Sequence, residues 1–319
     1  MTRTSRSARR RRFPARAALL ALGLALAAGL AGCQERRPPP FDEKRAFADL
    51  ATQVGFGPRV PGTPAHDRCR DWMVAQFKAA GAAPSVQAFT DTVYGRSYAF
   101  SNVRARFGPA GGTWIVIGAH WDTRPFADQD PDSTKRDTPI PGANDGASGV
   151  AVLLELARGF AVSPPPVGVE LVCFDGEDLG KASDPGGFCR GSRYYAKALA
   201  HPLPSLAIVL DMVGDKDLDL YYEQNSQQAA PNLVERLWSG AARVGAKGFI
   251  AQPRFSVYDD HTPFLEAGVP GIDVIDFDYP AWHTTHDDLD HVAAGSLGQV
   301  GRTVLEYVYT SEWEGSERR

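Results

Sequence analysis

Four short, nearly unbroken apolar runs constrain the fold of this chain more than any other feature: "TWIVIGA", "VGVELVCF", "SLAIVL" and "VPGIDVI". Strands that are apolar on both faces belong to parallel sheets covered on either side by helices. The segments between them supply those helices. "GASGVAVLLELARGF", "GSRYYAKALA", "AAPNLVERLWSGAARVGA" and "AGSLGQVGRTVLEYVYTSE" read as helices, several of them bounded by Gly or Pro. Two more helical patterns, "DEKRAFADLATQVG" and "PAHDRCRDWMVAQFKAAG", precede the strand candidates "PSVQAFTDTV" and "AFSNVRARF". The alternation predicts an α/β fold. Its core is a mixed, largely parallel, twisted central sheet with helices on both faces. No internal repeat or second domain boundary interrupts it, so residues 43–319 are expected to form a single domain.

The N-terminus has a different character. The first 33 residues carry seven arginines and no acid, then an Ala/Leu/Gly run ending in Leu30, Ala31, Gly32 and Cys33. This is the basic and apolar pattern of an export signal. Its end resembles a bacterial lipobox, which implies removal of residues 1–32 and lipidation of Cys33; the alternative is an ordinary cleaved signal peptide that contains a cysteine. The expected location is the cell envelope, on the periplasmic face of the outer membrane, with the lipid as membrane anchor. "QERRPPPFD" then reads as an extended tether, so residues 33–42 are anchor and spacer. Losing the leader leaves 27 basic residues against 38 acidic ones, a net charge of −11 with histidine neutral. So acidic a body excludes nucleic acid as the main partner. A monomer acting on peptide or protein N-termini is expected. Cys69, Cys173 and Cys189 remain. A Cys173–Cys189 bridge and a buried free Cys173 are both open.

Ligand sites in α/β sheets lie beyond the carboxyl ends of the strands. The residues found there are mostly acids and histidines. His120 and Asp122 follow the first run and Asp145 opens the next helix. Asp175, Glu177 and Asp178 follow "VELVCF", Asp211 follows "LAIVL", and His283 follows the last strand. Three carboxylates at one buried strand end would repel each other without a cation among them. A mixed His/carboxylate set suits zinc. An extended chain would let Asp122 orient the His120 ring. Taken alone, His120 could be a buried structural histidine, Asp145 a helix N-cap, Asp259 a turn or cap, and Trp282 core packing.

Together, "HWDTRPFAD", "GANDGASGVAVLLELAR", "FDGED", "LDMVGD", "DDHTPFLEAGVP" and "WHTTHDD" resemble one family. It is the zinc-dependent clan that contains M28-type aminopeptidases and glutaminyl cyclases. The resemblance runs from about Phe56 to the final helix. It implies Asp145, Asp178 and His283 as zinc ligands and Glu177 as the residue that moves protons. Most relatives carry Glu-Glu at positions 177 and 178. The shorter Asp178 therefore keeps open the reverse assignment, with Glu177 on the metal. In aminopeptidases of the clan, His120 and Asp211 would hold a second zinc with Asp145 bridging. In cyclases one zinc suffices, and Asp211 and Asp259 would hold substrate nitrogens. Asp259, where aminopeptidases tend to have Ser, and Trp282, where they more often have Tyr, lean towards a cyclase.

The expected reaction is therefore conversion of an N-terminal glutamine to pyroglutamate with loss of ammonia, in a pocket walled by Trp282. The competing reading is a di-zinc aminopeptidase. A third, an inactive envelope-tethered binding domain, is opposed by the retained Glu177, Asp145 and His283. Asp175, His286, Asp287 and Asp288 are expected to support loops, and His261 to be structural. His66, His201 and His291 read as surface residues.

Overall fold

The computed structural model describes residues 1–2, 37–181 and 183–313. Residues 3–36, which include Cys33, the rest of the leader and the first part of the tether, lie outside the described residues. In chain order the elements are α1 (Glu43–Gly55), α2 (Pro64–Ala79), β1 (Ser85–Val93), β2 (Arg96–Phe107) and β3 (Trp114–His120). Then come α3 (Ala147–Val162), β4 (Gly168–Phe174), α4 (Arg190–Lys197), β5 (Ala207–Asp211), β6 (Leu220–Tyr222) and α5 (Gln224–Ala229). The chain continues through α6 (Pro231–Arg243), β7 (Phe249–Pro253), α7 (Thr262–Glu266), β8 (Gly271–Ile275) and α8 (Ala294–Thr310). All belong to one unit, residues 37–316. No helix among the described residues is long and apolar enough to cross a membrane.

Six strands form one sheet in the order β1-β2-β4-β3-β5-β8. The four apolar runs are its parallel half: β4, β3, β5 and β8 run side by side in one direction. β1 and β2 are antiparallel additions to the β4 edge. Alternate residues serve opposite faces, as strand geometry requires. Ile115, Ile117, Leu171, Cys173, Ile208 and Leu210 join the larger core, which includes α3 and α8. Val116, Val172, Phe174 and Ala207 pack with Tyr195 of α4 and Phe264 of α7 on the other side. Burial on both faces is why these strands read as unbroken apolar runs.

Helix α3 is the element that places the site. It is buried along nearly its whole length, and Gly149 lets it lie directly on β5. A Cβ there would sit 2.2 Å from the Leu210 carbonyl oxygen. Just before the helix, Gly146 has φ +97°, and a Cβ would meet the Asp122 carbonyl oxygen at 2.4 Å. Only glycine fits so tight a left-handed turn. It holds Asp145 at the carboxyl ends of β3 and β5.

Some elements escape a periodicity reading. α5, α7, β6 and β7 have 6, 5, 3 and 5 residues, too few to show a repeat. The apolar run "LAIVLDMV" ends as a strand at Asp211, because Met212 turns left-handed at φ 48°. Cys69, Cys173 and Cys189 are all free and buried, so the Cys173–Cys189 bridge does not form.

Candidate metal centre and acid cleft

The turn after β4 is shaped by a carboxylate from the neighbouring strand. Asp122, fully buried, accepts from the Glu177 N–H at 2.9 Å and the Asp178 N–H at 3.2 Å. Its principal partners are therefore backbone amides. It lies 3.6 Å from His120 Nδ1, outside hydrogen-bond distance. Asp145 is held in a similar way. The Asn144 and Asp145 N–H groups donate to Asp287 at 2.8 and 3.1 Å, and Tyr279 donates its hydroxyl to the same carboxylate at 2.9 Å. Burial and the nearby Asp145 push the Asp287 carboxyl up to about 7. Asp145 does not cap α3: the N-cap position is Gly146, without a side-chain cap. Its carboxylate is left for other partners.

Among the described residues, two donor sets share Asp145. In the first, donor atoms of Asp145, Asp178 and His283 lie within 4.8 Å of one another. His283 Nε2 is 3.4 Å from Asp178 Oδ1 and 3.8 Å from Asp145 Oδ2. His283 has φ +56°, the left-handed region that non-glycine residues seldom occupy. Its Nδ1 faces Asp128 Oδ1 at 3.2 Å, the arrangement that fixes a ligating imidazole. In the second set His120 Nε2 lies 3.1 Å from both Asp145 Oδ1 and Asp211 Oδ1.

The first set fits a divalent metal on its own chemistry. It offers one imidazole and two carboxylates, the mixed donors that zinc takes. Asp178 Oδ2 is buried and has no hydrogen-bond partner, which is costly unless a cation meets it. Asp145, Glu177, Asp178, Asp211 and Asp259 are each at most 8% exposed. Only a few cationic groups face so many acids. Burial disfavours the Asp178 carboxylate, but His283 and Arg124 outweigh it and hold its pKa below the ordinary value. Burial lowers the His283 ring, but Asp178 and Asp128 raise it to about 9.

Glu177 differs from Asp178. Burial raises its carboxyl well above the usual range, and Asp178, Asp259 and Asp260 reinforce this against the opposing charge of His120. It makes no close pairing with the first donor set. Its carboxylate receives instead the Cys189 thiol at 3.4 Å. The geometry thus associates Asp178 with the metal-type donors and leaves Glu177 beside them. A cleft of about 260 Å³ opens onto Glu177, Asp145, Asp211, Asp259, Trp282 and His283. Asp259 has one oxygen on the Asp260 N–H at 2.5 Å and the other buried without a partner. Burial and Asp211 push its carboxyl up to about 6. Trp282 is part of the wall and stacks on His283 with ring centroids 3.8 Å apart. Asp145, Glu177, Asp211, Asp259, Trp282 and His283 therefore line one cleft, with His120 against Asp145 and Asp178 against His283.

Several supporting residues were not anticipated. Arg124 is buried and donates to Asp178 and to both oxygens of Asp128. Arg59, also buried, donates to the carbonyls of Trp121, Pro141 and Gly142 and so fixes the loop before Asp145. Neither role is visible in a sequence pattern, because Arg124 meets Asp178 across 54 residues of chain and Arg59 meets the Gly142 carbonyl across 83. His66 is corrected outright: it is buried, bonded to Asp175 at 2.8 Å and stacked on Trp121, although nothing adjacent to it in sequence suggests this. Asp175 itself accepts from the Ser101 N–H at 2.6 Å and is structural. His201 and His291 are exposed, as expected. His261 lies buried between Glu223 and Asp273, 3.4 Å from each.

Comparison with known proteins agrees with this geometry. The model of peptidase family M28 matches residues 102–308. Among solved structures, a Bacteroides thetaiotaomicron glutaminyl cyclase bound to N-acetylhistamine superposes with a TM-score of 0.84 and 35% identity. The match covers 86% of this chain and 100% of that one. A leucine aminopeptidase precursor from the same organism gives 0.83 and 35%, over 86% and 99% of the two chains. The bovine glutaminyl-peptide cyclotransferase is 26% identical over 293 residues, 79% of each chain. With a family match over most of its length and the strand-end site just described, the chain belongs to peptidase family M28.

Proposed function

We propose that this protein is a glutaminyl cyclase, which closes the N-terminal glutamine of peptides or proteins to pyroglutamate and releases ammonia. The observation that carries the reading is the acid cleft. Glu177, Asp211 and Asp259 line one small pocket with Trp282, beside a separate Asp145, Asp178 and His283 donor set. Similarity to bacterial glutaminyl cyclases over 86% of this chain supports it.

In the reaction the substrate α-amine attacks its own γ-amide carbon. A C–N bond forms, the bond to the amide nitrogen breaks, and one proton passes from the attacking nitrogen to the departing one. Because the reacting groups share one residue, the site must chiefly fix geometry and handle charge. One zinc ion held by Asp145, Asp178 and His283 would supply Lewis-acid polarisation of the γ-carbonyl. Glu177 carries the proton. Its raised proton affinity suits a group that must accept a proton and return it. Asp211 and Asp259 accept hydrogen bonds from the substrate nitrogens, and Trp282 confines the glutamine side chain.

The second reading is a di-zinc aminopeptidase, favoured by the His120, Asp145 and Asp211 donor set. Burial lowers the pKa of His120 in that set, but Asp211, Asp122 and Asp145 raise it well above normal. The test is mass spectrometry of Gln-peptides and Leu-peptides incubated with the protein. Ammonia loss with the peptide intact supports the cyclase. Release of free N-terminal residues would sink it.

The same proposal covers the N-terminus. Export on the arginine-rich leader, lipidation of Cys33 and a 33–42 tether would hold a monomeric domain in the cell envelope, at the periplasmic face of the outer membrane. The support is the "LAGC" sequence after a basic and then apolar leader. Mass spectrometry of the mature N-terminus tests it: an unmodified Cys33 refutes the anchor.

A further inference from the structure

We infer that Cys189 is a positioning residue for Glu177. This rests on the reading of Glu177 as proton carrier. The Cys189 thiol is fully buried and donates to Glu177 Oε1 at 3.4 Å. Among the described residues this is the one hydrogen bond made to that carboxylate. The backbone repeats the connection, since the Cys189 N–H donates to the Glu177 carbonyl at 3.0 Å. The next residue does the same one step back: the Arg190 N–H donates to the Gly176 carbonyl at 3.0 Å. The start of α4 is thereby stitched to the turn that carries Glu177.

The thiol reaches Glu177 because Cys189 is left-handed, with φ 55° and ψ 39°, at the N-cap of α4. A side chain at an N-cap ordinarily accepts from the helix N–H groups. Cys189 makes no such bond. Its conformation turns the sulfur towards Glu177 instead, a strained backbone kept at a functional site. A donor on Oε1 fixes the rotation of the carboxyl group, so the remaining oxygen has one orientation with respect to the cleft. Proton transfer is sensitive to such alignment. The sulfur serves geometry and takes no part in bond making.

The experiment measures kcat and KM on a Gln-peptide for Cys189→Ala, Cys189→Ser, Cys189→Val and Glu177→Gln, with zinc content and Tm of each. Loss of the donor in Cys189→Ala and Cys189→Val should lower kcat roughly tenfold while KM changes less than about twofold. Cys189→Ser, which keeps a donor, should recover most of kcat. Zinc content should stay at the wild-type value throughout. Combining Cys189→Ala with Glu177→Gln should add no further loss, because one acts through the other. If Glu177→Gln is inactive while Cys189→Ala and Cys189→Val keep full kcat, the inference fails and the proton-carrier reading stands. If Glu177→Gln itself turns over normally, both fail. If kcat falls only together with Tm or zinc, and serine does not restore it, Cys189 is merely structural and the inference is overturned.

Discussion

Arg124 reaches from the loop after β3 to the acid that follows β4: its Nη1 donates to Asp178 Oδ1 at 2.8 Å, with both side chains 1% exposed. Asp178 Oδ1 thus faces both the guanidinium and the His283 ring, while Oδ2 is buried without a hydrogen-bond partner. This offers a physical account of why a shorter acid can serve at this position. Arg124 sets the carboxylate from behind while Asp122 holds its backbone N–H. Arg124→Met should therefore cost stability, because breaking a buried pair from one side costs about 3–5 kcal/mol. Zinc affinity should fall about 10–100-fold, as for other lost partners of metal ligands. Thermal melts with and without zinc, and competition with a chelator, read both effects. An unchanged zinc affinity would show that Arg124 has no part in setting Asp178.

Metal removal separates the two donor sets. Dialysis against a chelator should abolish turnover, and added zinc should restore it. Zinc at about 100 times its Kd should raise stability by about 2.7 kcal/mol. Asp145→Asn, Asp178→Asn and His283→Ala should each lose the ion, whereas His120→Gln should keep it. Metal analysis should give one zinc per chain in the wild type and in His120→Gln. Two tightly bound zincs, falling to one in His120→Gln, would favour the aminopeptidase reading.

The support of Asp145 makes a graded prediction. Asp287 satisfies two buried N–H groups and one hydroxyl. Asp287→Ala strands all three donors, at about 1–3 kcal/mol each. Tyr279→Phe removes one hydrogen bond, at about 1 kcal/mol. Tm should therefore fall far more for the alanine than for the phenylalanine, and zinc affinity should follow the same order. Equal effects would contradict this account of the loop.

These support residues mark the limit of what was legible in the sequence. The parallel half of the sheet was readable, since β3, β4, β5 and β8 are apolar on both faces and alternate with helices. The strand-end acids were readable too, because a fold of this kind brings His120, Asp178, Asp211 and His283 to one edge. Arg124, Arg59 and Asp287 act across 54, 83 and 142 residues of chain. Such partners become neighbours only through the tertiary fold, and no local spacing encodes them. His66 was misread for the same reason: its partner Asp175 is 109 residues away. Cys189 lies 12 residues from Glu177, yet only a left-handed backbone turns its thiol there.

Glu223 gives a pH prediction away from the metal centre. It is 2% exposed and caps α5 by accepting from the Asn225 and Ser226 N–H groups at 3.0 and 2.7 Å. Burial raises its pKa, but His261 and the Ser226 bonds outweigh that and lower it from 4.5 to about 2. A carboxyl whose folded pKa lies below its unfolded one binds its proton more tightly when unfolded. Its contribution to stability is therefore complete above about pH 4.5 and disappears as pH falls towards 2. The gap corresponds to about 3 kcal/mol at neutral pH. Glu223→Gln should destabilise the fold at pH 7 and flatten the fall in stability between pH 5 and 2. Denaturant melts across that range check the sign. An equal acid sensitivity in wild type and Glu223→Gln would place the acid-labile groups elsewhere.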